Sequence, residues 1–357
     1  MITINLQLFA DAGTLVNATG NYVDAYTGST QAFEGKNTMS PGMKTYYNTE
    51  LLENARPTMY YAQLAEKVAL PAGKGKSVEW RKWNTFEKAS QLQEGVIPTG
   101  QKFGQTSIVG TISQYGTYAA ITDELELRHC DDVIVGCAEE MGASASQTQE
   151  ELIRDALLTN TNVMYCDNVN KDGTIASTPT SCAQMEATDE VMCKLTSKAV
   201  NKAATILKKS NAPRINGKFV AVIHPSVAYD LRDCDEWIEA HKYAAVTELF
   251  NGEIGELHGV RFVESTNAPI LGGTDYKNKA GTVTYATYFF ANKAFGIVDP
   301  EGGALQMIVH NKDEAGGPLD QFSTVGYKFS TETKVLYPER LLRVMSCSSY
   351  SAIDEAN

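Results

Sequence analysis

The first seventy residues carry a weak hydrophobic pattern that strengthens only towards their end. Residues 1–40 are rich in Gly, Ala, Thr and Asn and show little periodicity, which is typical of an extended arm or of a frayed terminus. Apolar residues then recur near helical spacing over residues 41–70, although Pro57 interrupts them. This pattern predicts an arm followed by a helical segment.

Residues 71–121 have the pattern of β-strands. Ser77–Lys82 alternates, and Ser107–Ile121 is rich in Thr, Ile, Val and Tyr, which predicts one or two further strands. Turn-forming residues lie between them at Gly95, Pro98, Gly100 and Gly104. The pattern therefore predicts a long two-stranded ribbon with a polar tip. An isolated ribbon is marginally stable in water, so we expect it to lie on another surface.

The strongest helical pattern covers residues 122–165. Its apolar face is traced at steps of three, four and seven residues by Ile134, Cys137, Ala138, Met141, Ala145, Thr148, Leu152 and Ala156. Residues 119–165 also hold ten acidic and two basic side chains, which is most of the chain's net charge of −12. We interpret these charges as the solvated face of the helix.

The rest of the chain mixes helical and strand-like segments. Residues 166–187 are predicted to form a loop, Thr188–Lys209 an amphipathic helix and Lys218–Ile223 a strand, followed by helical stretches to residue 250. From residue 252 the pattern is mostly β, with strands predicted at 283–291, 294–299, 304–310, 324–332 and 340–346. Segregated helices and strands of this kind predict an α+β fold.

Composition and charge narrow the class of protein. Of the 357 residues, 43% are hydrophobic and 21% charged, which supports a sizeable core. The net charge of −12 argues against sequence-specific DNA binding, which depends on Lys and Arg contacting phosphates. Seven Cys without C-x-x-C spacing predict reduced thiols. The sequence shows neither a signal peptide nor an apolar run long enough to span a membrane, so we expect a cytoplasmic product.

Motifs that could carry chemistry are incomplete. The five His lack zinc-site spacing, and the chain has no G-x-S-x-G nucleophile motif. Gly75-Lys76-Ser77 resembles the end of a phosphate-binding loop, but Leu70 stands where that loop requires Gly. Residues 168–173 resemble the start of a calcium loop whose twelfth position is Pro179 instead of Glu. We therefore predict no catalytic, cofactor-binding or metal site. A soluble α+β enzyme with a scattered site stays open as an alternative.

Three segments, in order, resemble the phage N4-like major capsid protein family. They are FVAVIHP with YDLR (219–225 and 229–232), NGEIGELHGVRFVEST (251–266), and VGYK with KVLYPERL (325–328 and 334–341). The opening NLQLFA (5–10) is similar too. The resemblance implies the Hong Kong phage-type capsid fold, with an N-terminal arm, an extended β-hairpin loop, a peripheral domain with a long spine helix, and an axial domain.

The resemblance also implies where these parts lie and what they do. We expect the arm and first helix at 1–70, the hairpin at 71–121, the peripheral domain with its spine helix at 122–185, the axial domain at 186–320, and the return to the peripheral domain with the tail at 321–357. The function implied is that of a major capsid protein of a tailed double-stranded DNA phage. Its subunits would form hexamers and pentamers of an icosahedral shell, assembled in the bacterial host cytoplasm.

The expected partners follow from that function. They are other copies of the chain, a portal, a scaffold or decoration protein, and packaged double-stranded DNA held only non-specifically, with no membrane. On the hairpin, the apolar side chains predicted to contact a neighbouring subunit are Trp80, Trp83, Phe86, Val96, Ile97 and Phe103. The alternative function is an encapsulin-like bacterial nanocompartment shell that encloses a cargo enzyme, which the same fold permits.

Overall fold

The computed structural model describes residues 22–23, 30–31, 59–71, 75–89, 91–92, 94–95, 97, 100–128, 133–234, 236–237, 253–300, 303, 305–311, 321–351 and 354–357. The chain divides into two compact units, Met1–Ala55 and Arg56–Asn357. In the first unit, β1 (Tyr22–Val23) pairs antiparallel with β2 (Thr30–Gln31). Apart from these four residues, the predicted arm lies outside the described residues, as does the helical segment before residue 59.

The second unit is a mixture of helices and strands, as the sequence predicts. Its helices are α1 (Tyr61–Leu64), α2 (Asp123–Arg128), α3 (Val133–Leu157), α4 (Ser197–Lys209) and α5 (Pro225–Arg232). Its first strands are β3 (Glu66–Leu70), β4 (Ser77–Trp83), β5 (Gln105–Thr111), β6 (Ser113–Thr122), β7 (Val163–Tyr165), β8 (Asn168–Asn170), β9 (Ile175–Ser177) and β10 (Val191–Met192). The later strands are β11 (Phe219–Ile223), β12 (Glu253–Leu257), β13 (Val260–Glu264), β14 (Ile270–Leu271), β15 (Thr284–Phe290), β16 (Phe295–Pro300), β17 (Gln306–His310), β18 (Phe322–Val335) and β19 (Leu341–Ser346).

A seven-stranded sheet forms the larger core. Its strand order is β12-β13-β11-β15-β19-β7, and β14 pairs with β15. Alternate residues point to opposite faces, so Phe289 joins the core formed with α4 and α5, whereas Tyr288 and Phe290 join the core formed with Ile153 and Leu157 of α3. Both faces of the central strands are therefore buried, which explains why β11 and β15 are apolar throughout.

A five-stranded sheet is the second platform. Its order is β17-β18-β16-β3, and β6 pairs with the other edge of β18 from Phe322↔Thr122 to Thr331↔Ser113. Tyr327 and Phe329 of β18 pack against Ala145 of α3. Since the end of α3 packs on the seven-stranded sheet, this one helix spans both sheets. A smaller sheet, β10-β8-β9, and the two-stranded ribbon β4-β5 complete the fold.

The structure corrects the predicted helices at several points. Residues 66–70 form β3, parallel to β16, because pairing with that edge outweighs a helical pattern that Pro57 already weakens. The predicted helix over 122–165 is two helices, α2 and α3, and it ends at Leu157 before β7. Helix α4 begins at Ser197, nine residues later than predicted, where the Thr196 side chain accepts a hydrogen bond from the Ala199 N–H.

The predicted strands are confirmed, but one predicted loop is wrong. The strand at 218–223 and the five predicted after residue 283 are confirmed within a few residues. The predicted loop at 166–187 instead holds β8, β9 and a 3₁₀ helix at Cys182–Gln184, because short strands without alternation give no clear sequence signal. Helix is confirmed from Pro225 to Arg232, and residues 238–250 lie outside the described part of the chain.

Strands of the two large sheets alternate along the chain. Strand β6 lies within the expected hairpin range of 71–121 except for its last residue, and it pairs with β18. Strands β16 and β17 lie within 186–320 but belong to the five-stranded sheet, whereas β19 lies within 321–357 and belongs to the seven-stranded sheet. The chain therefore passes from one large sheet to the other more than once along its length.

Candidate assembly surface

The ribbon of β4 and β5 continues beyond its strands. Its antiparallel register runs from Ser77↔Thr111 to Trp83↔Gln105. Further out, the Asn84 N–H donates to the Gly104 carbonyl at 3.0 Å, and the Gln101 side-chain amide bonds the Glu87 backbone at 3.0 and 3.2 Å. These bonds hold the two arms of the excursion together, so the predicted long ribbon is confirmed for β4 and β5.

One face of this ribbon packs on its own subunit. Val78 is buried with Ile112 and Val298, and Trp80 packs beside them. A Cβ atom at Gly110 would lie 2.9 Å from the Trp80 ring, which shows how closely the indole fits. Trp80 thus packs partly within its own subunit, and its predicted contact with a neighbour stays a prediction.

The opposite face carries exposed aromatic side chains. Trp83, Phe86 and Phe103 are 60%, 55% and 57% exposed, and we call these three residues the aromatic cluster. The Phe103 ring stacks on Trp83 at 4.3 Å and on Phe86 at 5.3 Å between ring centroids. Trp80 and Trp83 face opposite sides because strand side chains alternate with a period of two. A preformed apolar patch of this kind is typical of an interaction site.

The other two predicted contact residues are Ile97 and Val96. Ile97 is 93% exposed, and Val96 lies outside the described residues. Next to the aromatic cluster, Lys82 pairs with Glu339 at 3.0 Å and lies 4.5 Å over the Tyr337 ring. Burial by itself would raise the pKa of Glu339. Hydrogen bonds from the Glu339 backbone N–H and from Lys82 outweigh burial and hold this pKa below its ordinary value. The paired strands are thus fixed to the subunit as far as Lys82, and the aromatic cluster begins at the next residue, Trp83.

Glu150 is a structural residue that the sequence analysis missed. Its carboxylate accepts the backbone N–H groups of Tyr61 at 3.0 Å and Ala62 at 3.4 Å, and it fastens α1 to α3. Glu150 is only 2% exposed, and burial raises its pKa. Its position in an acidic helix suggests a solvated side chain, so only the long-range contact reveals its role.

The remaining chemical motifs are turns. Gly75 takes a φ of 95° just before β4, and the Asp172 carboxylate accepts hydrogen bonds from the Thr174 N–H at 3.0 Å and from its hydroxyl at 2.6 Å. Within the described residues, no group of three or more His, Cys, Asp and Glu is placed to hold a metal ion. No described helix is long and apolar enough to cross a membrane.

Comparison with known proteins defines the family. The family model described as phage capsid protein matches residues 105–329, which include β5, α3 and most strands of the two large sheets, but not β3 or β19. The chain belongs to the phage capsid protein family. No curated protein sequence matches it. The prediction of a phage capsid protein is confirmed, and membership of this family indicates a structural, non-enzymatic protein of the virion capsid.

Solved capsid structures share the fold. The capsid of Ralstonia phage GP4 is 13% identical, with a TM-score of 0.62 over 90% of this chain and 99% of that one. The capsid of cyanophage Pam1 is 13% identical, with a TM-score of 0.65 over 86% and 97%. The capsid of cyanophage P-SCSP1u is 15% identical, with a TM-score of 0.60 over 85% and 93%. The α+β fold is therefore that of phage capsid proteins.

Proposed function

We propose that this phage capsid protein is the major shell subunit of a tailed double-stranded DNA phage of the N4-like branch. Copies of it would form the hexamers and pentamers of an icosahedral shell around the genome. The observation that carries the proposal is the aromatic cluster, which is stacked and exposed at the end of a ribbon anchored to its own subunit. A shell subunit needs such extended elements because its assembly free energy comes from contacts shared with neighbours.

The proposal extends to the parts of the Hong Kong phage-type fold. The five-stranded sheet with α3 would be the peripheral domain and α3 its spine helix, the seven-stranded sheet would be the axial domain, and β4 with β5 would be the hairpin loop. Support comes from α3, which is 25 residues long and packs on both sheets. Each of these two domains would then be built from separate segments of the chain, according to the sheet that each strand joins.

The other expected partners stay part of the proposal. A portal and a scaffold or decoration protein would contact the shell, and the subunits would assemble in the host cytoplasm. Packaged DNA would be held only non-specifically, which agrees with the net charge of −12 because acidic surfaces do not retain phosphates. The encapsulin-like alternative is not favoured by the family or by the solved capsids. Purified particles that contain protein cargo instead of double-stranded DNA would restore it.

The assembly role of the hairpin is tested by shortening it. Replacing residues 88–104 with a short Gly/Ser turn should leave the subunit folded, because the cores formed with α3, α4 and α5 do not include these residues. Closed shells should be lost, since the aromatic cluster is then broken. Circular dichroism measures folding, and electron microscopy measures assembly.

A point variant sharpens this test. Trp83→Ser should weaken assembly in the same way, because it removes the largest ring of the aromatic cluster. The matched control is Tyr229→Ser, an aromatic residue on α5 that is 55% exposed. Normal shells from the Trp83 variant, or a globally unfolded subunit after the loop replacement, would contradict the proposal.

A further inference from the structure

Helix α4 and the residues on either side of it form a basic segment in an acidic chain. Residues 194–218 hold seven basic side chains and no acidic one, at positions 194, 198, 202, 208, 209, 214 and 218. The whole chain has 31 basic and 43 acidic side chains, so outside this segment all 43 acidic side chains stand against 24 basic ones. Such a segregation of charge defines a surface with its own electrostatic potential.

The lysines of α4 share one side of the helix. The opposite side is buried in the core of the seven-stranded sheet through Ala199, Val200, Ala203, Ala204 and Leu207. Lys198, Lys202, Lys208 and Lys209 are exposed, and we call these four residues the lysine face. At about 100° per residue they lie within roughly a third of the helix circumference, and from Lys198 to Lys209 they extend over roughly 17 Å.

Most of the charge on the lysine face is not neutralised within the subunit. Among the residues that the structure describes, Lys198, Lys208 and Lys209 form no ion pair. Lys202 has a carboxylate nearby, that of Asp167, at a long 3.7 Å, and its own side chain is 47% exposed. The face therefore offers its ammonium groups to a partner outside the subunit.

Helix stability does not account for all of these lysines. The helix dipole favours cations in the last turn, which explains Lys208 and Lys209. Lys198 lies in the first turn, where the dipole disfavours a cation, and α4 has no acidic residue there. A side chain that works against its own helix is explained by a contact that the isolated subunit does not make.

We infer that the lysine face contacts the phosphate backbone of the packaged double-stranded DNA, so that this side of the seven-stranded sheet faces the shell interior. The assignment rests on the proposed enclosure of a genome. A duplex carries a phosphate about every 3.4 Å along each strand, so a straight row of charges roughly 17 Å long can contact several phosphates. Lysine suits this contact because its ammonium group is a point charge on a flexible stem and reads no base sequence.

A protein partner suits the lysine face less well. The cores of protein interfaces are enriched in aromatic residues and Arg and depleted in Lys. Residues 176–228, all of which the structure describes, expose no large apolar side chain. The exposed residues between the lysines are instead Asn201, Thr205 and Ser210, whose amide and hydroxyl groups can donate to phosphate oxygens.

The neighbouring acidic surface keeps this contact weak. At the N-terminal end of α4, Lys198 borders a groove of about 580 Å³ that is also lined by Asp189, Glu190, Asp233 and Glu236. These carboxylates repel phosphates, so the contact is confined to the lysine face. Few phosphates are then neutralised by each subunit, and DNA can slide over the surface while it is packaged.

Binding of a short DNA duplex to the unassembled, full-length subunit tests the face in solution. Lys198→Gln combined with Lys209→Gln removes two exposed charges and should leave the subunit folded. Fluorescence anisotropy at low salt should show binding roughly tenfold weaker than that of wild type, with a log–log salt slope smaller by about 1.8. The matched control, Lys76→Gln with Lys277→Gln, makes the same charge change at exposed positions elsewhere and should bind as wild type does. No binding by wild type, or an equal loss in both variants, would overturn the assignment.

Photo-crosslinking in DNA-filled particles separates this inference from the proposed function. Lys209→benzoylphenylalanine places a photoreactive benzophenone on the lysine face, and illumination should join the subunit covalently to packaged DNA. The same substitution at Lys277 should give far fewer DNA adducts. Adducts with a protein instead of DNA, or equal DNA yields from both positions, would overturn the assignment while leaving the shell and its genome in place. Particles that never enclose DNA would instead contradict the proposed function itself.

Discussion

At the scale of single residues, Glu150 shows how one buried carboxylate links distant parts of the chain. It lies near the C-terminal end of α3, accepts two backbone N–H groups from α1, and is adjacent to the buried Arg154, whose guanidinium pairs with Asp155 at 3.0 Å. The segment that leads into β3 is therefore held on α3 by a polar contact. Burial and hydrogen bonding have opposite effects on this carboxylate, and burial dominates, so its pKa is raised.

Removing this carboxylate should destabilise the subunit. Glu150→Ala leaves the N–H groups of Tyr61 and Ala62 without their acceptor, so the free energy of unfolding should fall by about 1–3 kcal/mol. Glu151→Ala is the matched control, because Glu151 is only half-buried and bonds the Gln147 side chain at 2.8 Å. Urea unfolding followed by circular dichroism compares the two variants. An equal loss in both would mean that the buried contact contributes nothing.

The same site predicts a pH dependence. Because the folded-state pKa of Glu150 lies above its unfolded value, its contribution to stability is fully present below the unfolded pKa and is lost as the pH rises through the folded pKa. Glu150→Gln cannot titrate. Wild type should therefore gain stability relative to this variant as the pH falls from neutral towards about 4.3, the ordinary glutamate pKa. A stability difference that does not change with pH would contradict the assigned shift.

The hairpin lysines should not form covalent cross-links in the shell. Lys82 is paired with Glu339 at 3.0 Å, and Lys88 and Lys102 are exposed, so none of the three is desolvated as an activated nucleophile would be. Boiled, denatured particles should run as one band near 38.9 kDa. A ladder of multimers that survives reducing agent would show that one of these lysines is activated in the shell.

At the scale of elements, α3 and the β6–β18 pair use glycine for opposite reasons. Gly142 lies inside α3 with no atom within 4 Å of a Cβ built there, so it lowers helix stability without a packing benefit. Gly116 instead allows β6 to approach the backbone of β18, where a Cβ would lie 2.6 Å from a carbonyl oxygen. Backbone atoms cannot move aside as a flexible side chain does.

Alanine substitutions at these two glycines should therefore change the free energy of unfolding in opposite directions. Gly142→Ala should raise the free energy of unfolding of the subunit by about 1 kcal/mol. Gly116→Ala should lower it by about 1–3 kcal/mol, because the strands must separate to admit the methyl group. Thermal or urea unfolding of the two variants beside wild type measures both effects. Neutral behaviour of Gly116→Ala would mean that β6 can shift along or away from β18 at little cost.

At the scale of the whole molecule, stability comes from packing and not from covalent bridges. The described cysteines, at 137, 166, 182, 193, 234 and 347, are free thiols. Four of them, Cys166, Cys182, Cys193 and Cys347, are buried in the core of the seven-stranded sheet. Burial raises the pKa of Cys347 to about 11, and it raises the pKa of the other three as well. Thiols that stay protonated in this way do not react readily as nucleophiles, because the thiolate is the reactive form.

Reducing agent should consequently leave intact particles unchanged. Particles heated with and without excess reductant should lose their structure at the same temperature, as measured by light scattering or calorimetry. Alkylation under native conditions should be slow at the four buried positions. A large drop in thermal stability on reduction would indicate a disulfide between subunits or one that involves Cys130, which lies outside the described residues.

The sequence by itself determined the local features of this protein. Periodicity located the later strands, the ribbon and the amphipathic face of α3, where Met141, Ala145 and Leu152 do pack on the five-stranded sheet. These signals are local because a strand or helix that buries one face must repeat its apolar residues at a fixed spacing. The resemblance of ordered segments supplied the family, and the exposed rings of the ribbon were among the residues singled out.

Only the tertiary structure decided which neighbours each element has. Glu66–Leu70 became a strand because β16 offers an edge, Ile153 and Leu157 face a second sheet that periodicity could not reveal, and Glu150 is buried by a contact 89 residues away. The same holds for the assembly surface. Trp80 and Trp83 look alike in sequence, yet the ribbon has one face on its own subunit, so pleating packs the first partly against the subunit and leaves the second exposed. Long-range pairing leaves no local periodicity, and it therefore becomes visible only in the folded chain.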